Sequence, residues 1–411
     1  MLTISAPWVV PIETPVIQDG SVVVNDGLIV DLGSRSDIVN RYPQSSETSY
    51  PCVLMPGLVN AHMHLELSHL QDSVQPHPNQ KITEWIDALI VQRTHEKYSR
   101  ESIIESFTIA LHSQYYSGVA LIGDIGNEYF DELYCCDDKV RPQVVRFLEY
   151  LAPNLDACRT SLENLEKLDD RIVATGHAPY STAPELLQKI KKRCNHLQHI
   201  FSIHTAESAD EGEFLRRGKG CFRDFLEKKN SWDGLFSFFE SGFPGTVDYF
   251  DYLGILDHNT LLVHCVHISE PELQLIKERG AGICLCPGSN QFLGVGSAPV
   301  ERMVELGLLP ALGTDSPASN LTIDMWREMQ ILTKSYPNID SSTVLAMATI
   351  GGAKALQHDS FLGSITVGKK AKLIHVSSPN LKCCSDAGQL VKELVSGGKP
   401  NQIKWVSTDH V

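Results

Sequence analysis

The chain has 411 residues, of which 42% are hydrophobic and 21% are charged, a composition typical of globular and not of disordered proteins. The formal net charge is −15 and basic clusters are short, which argues against binding to nucleic acids or anionic membranes. No apolar run approaches the ~20 residues of a membrane span, and Pro7 and Pro11 interrupt the N-terminal apolar stretch, unlike a signal peptide. We therefore expect a cytoplasmic protein that acts on a small molecule, and its ordinary acidic surface allows a homodimer.

Strand-like segments lie at both ends of the chain, at residues 22–31 and 371–377, and we predict that they belong together. Between them, short apolar runs alternate with stretches of helical period such as 184–196 and 270–279, a pattern typical of βα units with a parallel sheet. There are eight such runs: 53–64, 118–126, 143–151, 171–180, 201–207, 260–267, 280–290 and 308–315. Eight units predict an α/β fold of the closed (β/α)₈ or TIM-barrel type.

Polar residues end each of these runs, which is where a (β/α)₈ barrel assembles its active site. In chain order they are His62 with His64, Asp124, Glu149, His177, His204 with Glu207, His264 with His267, Asn290, and Asp315. The sequence thus predicts one functional site at the carboxyl ends of the strands.

Four of these residues form a candidate metal site. His62 and His64 are two positions apart, so that a strand directs both imidazoles to one face. An isolated pair of this kind is more often accidental, but His204 and Asp315 end other runs and can add a nitrogen and a carboxylate oxygen. This set suits one divalent ion, zinc in the first place and iron or manganese as alternatives, with a position open for water.

Glu207 and His264 are the candidates for proton transfer. Glu207 follows His204 by three residues, and deamination requires a group that moves a proton from water to a ring nitrogen. The alternatives are a solvated loop carboxylate for Glu207 and a core histidine for His264, but their position beside the candidate ligands favours catalysis. The sequence leaves open whether three further residues are functional or structural: Asp124, His267 and Asn290.

Several motifs, spread in order over nearly the whole chain, resemble those of the amidohydrolase superfamily. They are PGLVNAHMH at 56–64, HAPYS at 177–181, His204 with Glu207, VHCVH at 263–267, CPGSN at 286–290 and GTDSPASN at 313–320. More narrowly, the chain is similar to the cytosine deaminase and chlorohydrolase-like branch, which includes guanine, S-adenosylhomocysteine and aminofutalosine deaminases. The resemblance implies a single metal ion, because two-metal relatives carry a carboxylated lysine where this chain has Gly176 and His177.

The same resemblance implies a small β-sandwich built from both chain ends. We place this composite domain at residues 1–54 and 357–411 and the catalytic barrel at 55–356. Lys372 departs from the family pattern, which usually has an acidic residue there, and we expect this position to lie far from the metal.

These roles predict a metal-dependent hydrolytic deaminase. His62, His64, His204 and Asp315 would hold an ion that lowers the pKa of a bound water. Asp315 would accept a proton from that water while His264 orients it. Glu207 would protonate the ring nitrogen beside the carbon under attack, and the amino group would leave as ammonia.

The substrate is predicted by resemblance. Trp85 resembles a lid residue over the base, and His177 and Arg146 resemble positions that contact the heterocycle or its appended group. Residues 64–68, which include Glu66, and residues 147–151 are similar to aminofutalosine deaminases of the menaquinone pathway. The motif at 64–68 adds Glu66 to the predicted substrate-binding residues. Those enzymes act on the 6-amino group of an adenine whose ribose carries a carboxyphenyl ketone. Arg146 is therefore a candidate partner for the carboxylate.

One expected feature of ribose recognition is missing. The resemblance places an acidic residue in the helix after Trp85, where this chain has the uncharged Thr94, with Glu96 two residues further on. The sequence therefore leaves the recognition of a ribose unexplained.

Other substrates and one other class remain open at this stage. S-adenosylhomocysteine, methylthioadenosine and guanine are alternative amines, and related chlorohydrolases displace halide or alkylamine from triazines. Retention of both Glu207 and His264 favours loss of ammonia from a base that needs ring protonation. A non-catalytic scaffold, like the dihydropyrimidinase-like structural proteins, conflicts with the complete ligand set, and metal analysis would separate the two.

Overall fold

The computed structural model describes residues 1–77, 80–94, 98–128, 140–236 and 242–407, and its strands lie in three sheets. The strands are β1 (Leu2–Val9), β2 (Ile17–Asn25), β3 (Leu28–Ser34), β4 (Ser46–Ser49), β5 (Val53–Pro56), β6 (Leu58–Met63), β7 (Val119–Gly126), β8 (Gln143–Tyr150), β9 (Val173–Gly176), β10 (Phe201–Thr205), β11 (Thr260–His264), β12 (Gly282–Leu285), β13 (Ala311–Leu312), β14 (Leu373–Val376) and β15 (Ile403–Trp405).

Helices follow or separate most of these strands. They are α1 (Arg35–Arg41), α2 (Ile82–Arg93), α3 (Arg100–Tyr116), α4 (Leu155–Glu166), α5 (Pro184–Leu197), α6 (Ala209–Arg217), α7 (Cys221–Lys228), α8 (Thr246–Tyr252), α9 (Glu270–Arg279), α10 (Pro287–Leu293), α11 (Val300–Glu305), α12 (Met325–Ser335), α13 (Ser341–Ala346), α14 (Gly352–Ala355), α15 (Pro379–Lys382) and α16 (Ala387–Gly397), with 3₁₀ turns at Leu65–Leu70 and Pro400–Gln402 and a π turn at Met347–Gly351. Among the described residues, no helix combines the length and the apolar character that a membrane crossing requires.

The two chain ends meet in a seven-stranded mixed sheet, as the sequence predicts. Its order is β15-β14-β5-β1-β2-β3, with β4 paired to β1. β14 runs antiparallel to β5 and is separated from β2 by β5 and β1. The two end segments also bond directly, because the Ala371 N–H donates to the Gly27 carbonyl at 2.8 Å. The sheet has its own apolar cluster, which includes Ile4, Val22 and Leu373.

The first apolar run of the sequence, residues 53–64, contains two strands and not one. β5 pairs in the mixed sheet and β6 begins a parallel sheet, with a break at Gly57. The Gly57 N–H donates to the Lys372 carbonyl at 2.9 Å, and a Cβ at Gly57 would lie 2.8 Å from the Ala120 Cβ. Only a glycine fits this close approach, so the chain changes sheets there. The predicted boundary at residue 54 therefore falls inside β5.

Strands β6 to β13 form two four-stranded parallel sheets, β6-β7-β8-β9 and β10-β11-β12-β13. The His204 N–H in β10 donates to the His177 carbonyl, which follows β9, at 3.0 Å. At the other junction Met63 of β6 forms a parallel bridge with Asp315, whose N–H donates to the His62 carbonyl at 3.0 Å. The eight strands thus neighbour one another in chain order, and their carboxyl ends meet on one side.

Two helices show why the sequence pattern predicts them well. α5 begins at Pro184, a residue suited to the first helical turn, and ends before Gln198 in a left-handed conformation at φ 57°. α9 begins with a capping box between Ser269 and Glu272 and ends at Gly280 with φ 73°. Capping residues at both ends of these two helices therefore set where the helices begin and end.

The C-terminal helix α16 packs away from the mixed sheet. The Gln330 amide of α12 donates to the Gly398 carbonyl just after α16 at 2.7 Å, and Gly398 lies against the Trp326 ring. The segment 357–411 therefore contributes to two regions of the molecule.

Candidate active site

Four polar side chains converge at the carboxyl ends of the parallel strands. They are His62 on β6, His64 just after it, His204 on β10 and Asp315 just after β13. One ligand atom from each lies within 4.8 Å of the other three, and all four residues are buried. The four candidate metal ligands that the sequence predicts are thus brought together.

Asp315 is oriented so that one carboxylate oxygen faces the histidines. Its Oδ2 accepts hydrogen bonds from the hydroxyls of Ser289 at 2.6 Å and Ser319 at 2.8 Å. Its Oδ1 lies 3.6 Å from His62 Nε2 and 3.5 Å from His64 Nε2. Hydroxyls behind one oxygen and imidazoles before the other are the arrangement of a metal-binding carboxylate with its outer partners.

The histidines also present nitrogen atoms towards a common centre. His204 Nδ1 contacts the His177 carbonyl at 2.8 Å, which fixes that nitrogen as the donor and leaves Nε2 for another partner. His62 is fully buried, and neither of its ring nitrogens has a hydrogen-bond partner in the described part of the chain. Buried imidazole nitrogens without a partner are costly unless a ligand fills the site, so these residues fit a divalent ion.

The protonation states agree with metal binding. Burial lowers the pKa of His64 to about 3 and holds the pKa of His204 well below its ordinary value. Burial alone would raise the pKa of Asp315, but the close contact with His62 and the charges of the nearby histidines hold it well below its usual range. Neutral imidazoles and a charged carboxylate are the forms that bind metals.

Glu207 and His264 face each other beside this group. His264 Nε2 lies 3.7 Å from Glu207 Oε1, and His264 Nδ1 contacts Asn290 Oδ1 at 2.9 Å. The amide oxygen of Asn290 accepts, so Nδ1 is the donor nitrogen in this contact and Nε2 faces Glu207. Burial raises the pKa of the Glu207 carboxyl, which favours its proton-carrying form.

A second glutamate holds the loop that carries Glu207. Glu211, fully buried on α6, accepts the Ala206 N–H at 2.7 Å and the Glu207 N–H at 3.3 Å. The Thr246 hydroxyl donates to the same carboxylate at 2.7 Å. Glu211 therefore fixes the backbone from which Glu207 projects.

Left-handed backbone marks the site independently of its side chains. Ala206, His264 and Asp315 have φ of 48°, 74° and 59°, which non-glycine residues adopt at a cost of about 1–3 kcal/mol each. All three lie where a parallel strand ends. Such strain persists where the surrounding structure fixes it, commonly at functional sites.

A cavity with about 890 Å³ of empty space, part of it open to solvent, leads to this group. Trp85 lies in its wall, and the indole N–H donates to the Val74 carbonyl at 3.4 Å. The residues that α2 contributes to the wall recur with helical period along one face: Ile82, Trp85, Ile86, Leu89, Ile90 and Arg93. The cavity thus joins a polar floor to an apolar side wall, as ligand pockets commonly do.

Arg146 and Glu66, both predicted to bind substrate, are paired with other residues of the protein. The Arg146 guanidinium donates to Asp124 Oδ2 at 2.9 Å and lies 3.6 Å from Glu66 Oε2. Arg146 is not among the described residues that line the cavity, whereas Glu66 and Arg93 are. Arg93 donates to Glu66 Oε1 at 2.6 Å and keeps 35% of its side chain exposed. The structure therefore puts Arg93, and not Arg146, at the cavity wall.

Asp124 and His267, whose roles the sequence leaves open, have structural contacts. Asp124 is fully buried, accepts the Leu65 N–H at 2.8 Å and so ties the chain after His64 to Arg146. His267 is exposed and contacts the Val295 carbonyl at 2.6 Å. Asn290 lies within α10, and not at a strand end as predicted, because β12 already ends at Leu285.

His177 and Glu149 line the cavity beside His204. His177 Nδ1 contacts the Ser181 hydroxyl at 2.6 Å, and burial lowers the His177 pKa to about 4. Glu149 Oε1 lies 3.9 Å from His204 Nδ1, and burial, followed by the charge of Glu66, raises the Glu149 pKa to about 8. Sequence reasoning noted Glu149 as a strand end without giving it a role.

Other site residues escaped sequence reasoning. Arg93 and Asn127 have no motif signal of their own, since only the folded chain brings them to the cavity. Ser289 and Ser319 lie in the motifs CPGSN and GTDSPASN, but only the fold brings their hydroxyls to Asp315. Glu211 had a weak signal, because it lies four residues after Glu207 and so within one turn of it.

Residues 53–404 of the chain match a family model described as "Amidohydrolase family". A 5-methylthioadenosine/S-adenosylhomocysteine deaminase of Desulfovibrio desulfuricans is 28% identical, and the match covers 90% of this chain and 82% of the relative. An aminofutalosine deaminase of Helicobacter pylori, solved in complex with methylthio-coformycin, superposes with a TM-score of 0.82 at 25% identity, covering 98% of this chain and 100% of that structure.

A third similar protein is a zinc-bound adenosine deaminase of Xanthomonas campestris. The two structures superpose with a TM-score of 0.77 at 24% identity, and the match covers 98% of this chain and 90% of that one. The overall chain path is therefore shared along nearly the full length.

Proposed function

Because the chain belongs to the amidohydrolase family, we propose that it is a metal-dependent hydrolytic deaminase that removes the amino group of an adenine-like base. One observation carries the proposal: Glu207 and His264 face each other at 3.7 Å beside a group of three histidines and an aspartate in the same cavity. A scaffold protein would not need this combination, whereas hydrolysis of a ring amine needs all of its parts.

The ion would be held by His62, His64, His204 and Asp315, and zinc suits this set best. Iron and manganese also bind imidazole and carboxylate. When bound, the ion supplies Lewis acidity, which makes a water molecule nucleophilic near neutral pH.

Residues of the chain itself would carry out the proton transfers. Asp315 Oδ1 is the acceptor for a proton of the attacking water, because Oδ2 is already engaged by two hydroxyls. His264 orients that water through Nε2, and the contact of its Nδ1 with Asn290 fixes the ring. Glu207 donates a proton to the ring nitrogen beside the attacked carbon, and a returned proton lets the amino group leave as ammonia.

Aminofutalosine, the substrate of a menaquinone pathway step, is the substrate that we propose first. The superposed Helicobacter pylori enzyme and the motifs at residues 64–68 and 147–151 support it. The apolar face of α2 offers a surface for Trp85 to cover the base and for a carboxyphenyl group, and Arg93 offers a cation beside it. His177 and Glu66, which also line the cavity, would contact the base or its appended group.

Methylthioadenosine or S-adenosylhomocysteine is the second candidate, favoured by the similarity to the Desulfovibrio desulfuricans deaminase. A panel of aminofutalosine, methylthioadenosine, S-adenosylhomocysteine, guanine and an aminotriazine, assayed for ammonia release, separates these possibilities. We expect the highest kcat/KM on aminofutalosine. A preference for guanine or the triazine would contradict the proposal of an adenine-like base.

Replacement of Arg93 by methionine is expected to raise the KM of a carboxylate-bearing substrate by about 10- to 100-fold, the effect of losing one charge-assisted hydrogen bond. The KM of methylthioadenosine, which has no carboxylate, should change by less than about threefold, because its binding loses no such bond. Steady-state kinetics on both substrates measure the difference. Arg159→Met, at an exposed position on α4, is the matched control. Equal effects on the two substrates would exclude Arg93 as the carboxylate partner.

We also propose the architecture that the family resemblance implies. The hydrogen bonds at both junctions between the parallel sheets support closure of β6 to β13 into a (β/α)₈ barrel over residues 55–356, with residues 55 and 56 of β5 remaining in the mixed sheet. The mixed sheet with its own apolar cluster supports a composite β-sandwich domain from residues 1–54 and 357–411.

A further inference from the structure

One oxygen of the Glu149 carboxylate lies in the cavity wall without a hydrogen bond. Glu149 is 7% exposed, and its Oε1 has no hydrogen-bond partner within the residues that the structure covers. Oε2 is held by the Asn127 amide at 3.1 Å, and the same amide donates to the Glu149 carbonyl at 3.0 Å. The side chain is thus fixed at one end and unsatisfied at the other, which is costly unless a ligand completes it.

A second metal ion is a poor occupant for this position. Ligand atoms of Glu149, His177 and His204 lie within 4.8 Å of one another. However, His204 Nδ1 already donates to the His177 carbonyl at 2.8 Å, and His204 also belongs to the first group of candidate ligands. His177 Nδ1 is likewise engaged by Ser181. Glu149 therefore lacks the partners that a second ion requires.

A hydroxyl group suits the position better. A hydroxyl can donate to a carboxylate or accept from a carboxylic acid, so it satisfies Oε1 in either protonation state. Arg93 does not satisfy Oε1 in the structure, because its two terminal nitrogens donate to Glu66 Oε1 at 2.6 Å and to Asn127 Oδ1 at 2.8 Å. In a cavity whose floor would hold the base, the group with hydroxyls next to the base is the sugar.

We propose that Glu149, positioned by Asn127, binds a ribose hydroxyl of the substrate and thereby selects nucleosides over free bases and deoxynucleosides. The inference rests on the proposed function, since it requires an adenine nucleoside at the metal group. It supplies an acidic sugar partner on β8, which Asn127 links to Arg93 at the end of α2.

The test combines removal of the hydroxyl with removal of the carboxylate. Adenosine, 2′-deoxyadenosine and 3′-deoxyadenosine are compared in wild type, Glu149→Ala and Glu149→Gln by ammonia release. We expect wild type to lose roughly tenfold in kcat/KM on one deoxynucleoside, the effect of one hydrogen bond. Glu149→Ala should lose less than about twofold on the same change, because its partner is already gone. Glu149→Gln keeps a polar group and should keep part of the preference.

Each other outcome has a distinct meaning. If Glu149→Ala and wild type discriminate equally between ribose and deoxyribose, the subsite is overturned, even if both enzymes are active. If Glu149→Ala lowers kcat on all three nucleosides equally or loses its metal, Glu149 acts through His204 and not on the sugar. Inactivity of wild type on every adenine nucleoside, including those of the wider panel, would instead overturn the proposed function.

Discussion

Replacement of Glu207 by glutamine is expected to lower kcat/KM by about 10³-fold, within the range that positioned acid–base groups contribute. Glutamine matches glutamate in size and can still contact His264, but it has no proton to give to a ring nitrogen. The backbone bonds that Glu211 makes to Ala206 and Glu207 do not depend on the Glu207 side chain. The fold and the metal content should therefore remain those of wild type.

The measurement is ammonia release under single-turnover and steady-state conditions, with metal content determined on the same samples. Glu278→Gln, an exposed position at the end of α9, is the matched control and should behave as wild type. Near-wild-type turnover of Glu207→Gln with metal bound would show that another group shuttles the proton.

Replacement of Asp315 by asparagine is expected to remove most of the bound metal and to lower kcat/KM by at least about 10³-fold. The change takes away an anionic ligand and the proposed proton acceptor at once. In the wild-type protein the hydroxyls of Ser289 and Ser319 donate to a carboxylate oxygen, and the substitution places an amide against them instead. Elemental analysis after dialysis, together with kcat/KM in excess zinc, measures the two effects separately.

Ser319→Ala is a milder change at the same site, to be compared with Asp315→Asn. It leaves the carboxylate in place and removes one of its two hydroxyl donors, so metal affinity should fall by roughly 10-fold, as for other outer partners of metal ligands. If Asp315→Asn retains a full complement of metal and activity, Asp315 is neither a ligand nor a proton acceptor.

The sequence predicted the repeating elements of the fold well, because each has local signals. α9 has the predicted bounds, since a capping box and a terminal glycine mark its two ends. The first apolar run was misread as one strand, because the change of sheet at Gly57 depends on contacts with Ala120 and Trp405, far away in the sequence. Local periodicity carries no information on such contacts.

The site was predictable where its residues occur in motifs at strand ends. The spacing predicts His62 with His64 and Glu207 after His204. The structure groups the three histidines and places Glu207 in the cavity that leads to them. Arg146 and Arg93 were not distinguishable in this way. Arg146 lies on a strand beside Asp124, whereas the helical face of α2 turns Arg93 into the cavity. Whether an arginine side chain can contact a ligand depends on how all the nearby charged groups are paired. Only the fold defines that pairing.

The central claim is that this chain uses one bound divalent ion to deaminate an adenine nucleoside. The most direct test removes metal with a chelator, titrates zinc back and follows ammonia release from aminofutalosine and methylthioadenosine at each step. We predict that activity is lost with the metal and returns in proportion to zinc, reaching a plateau at about one ion per chain. A chain that binds one zinc ion and releases ammonia from neither nucleoside, or that is equally active without metal, would contradict the claim.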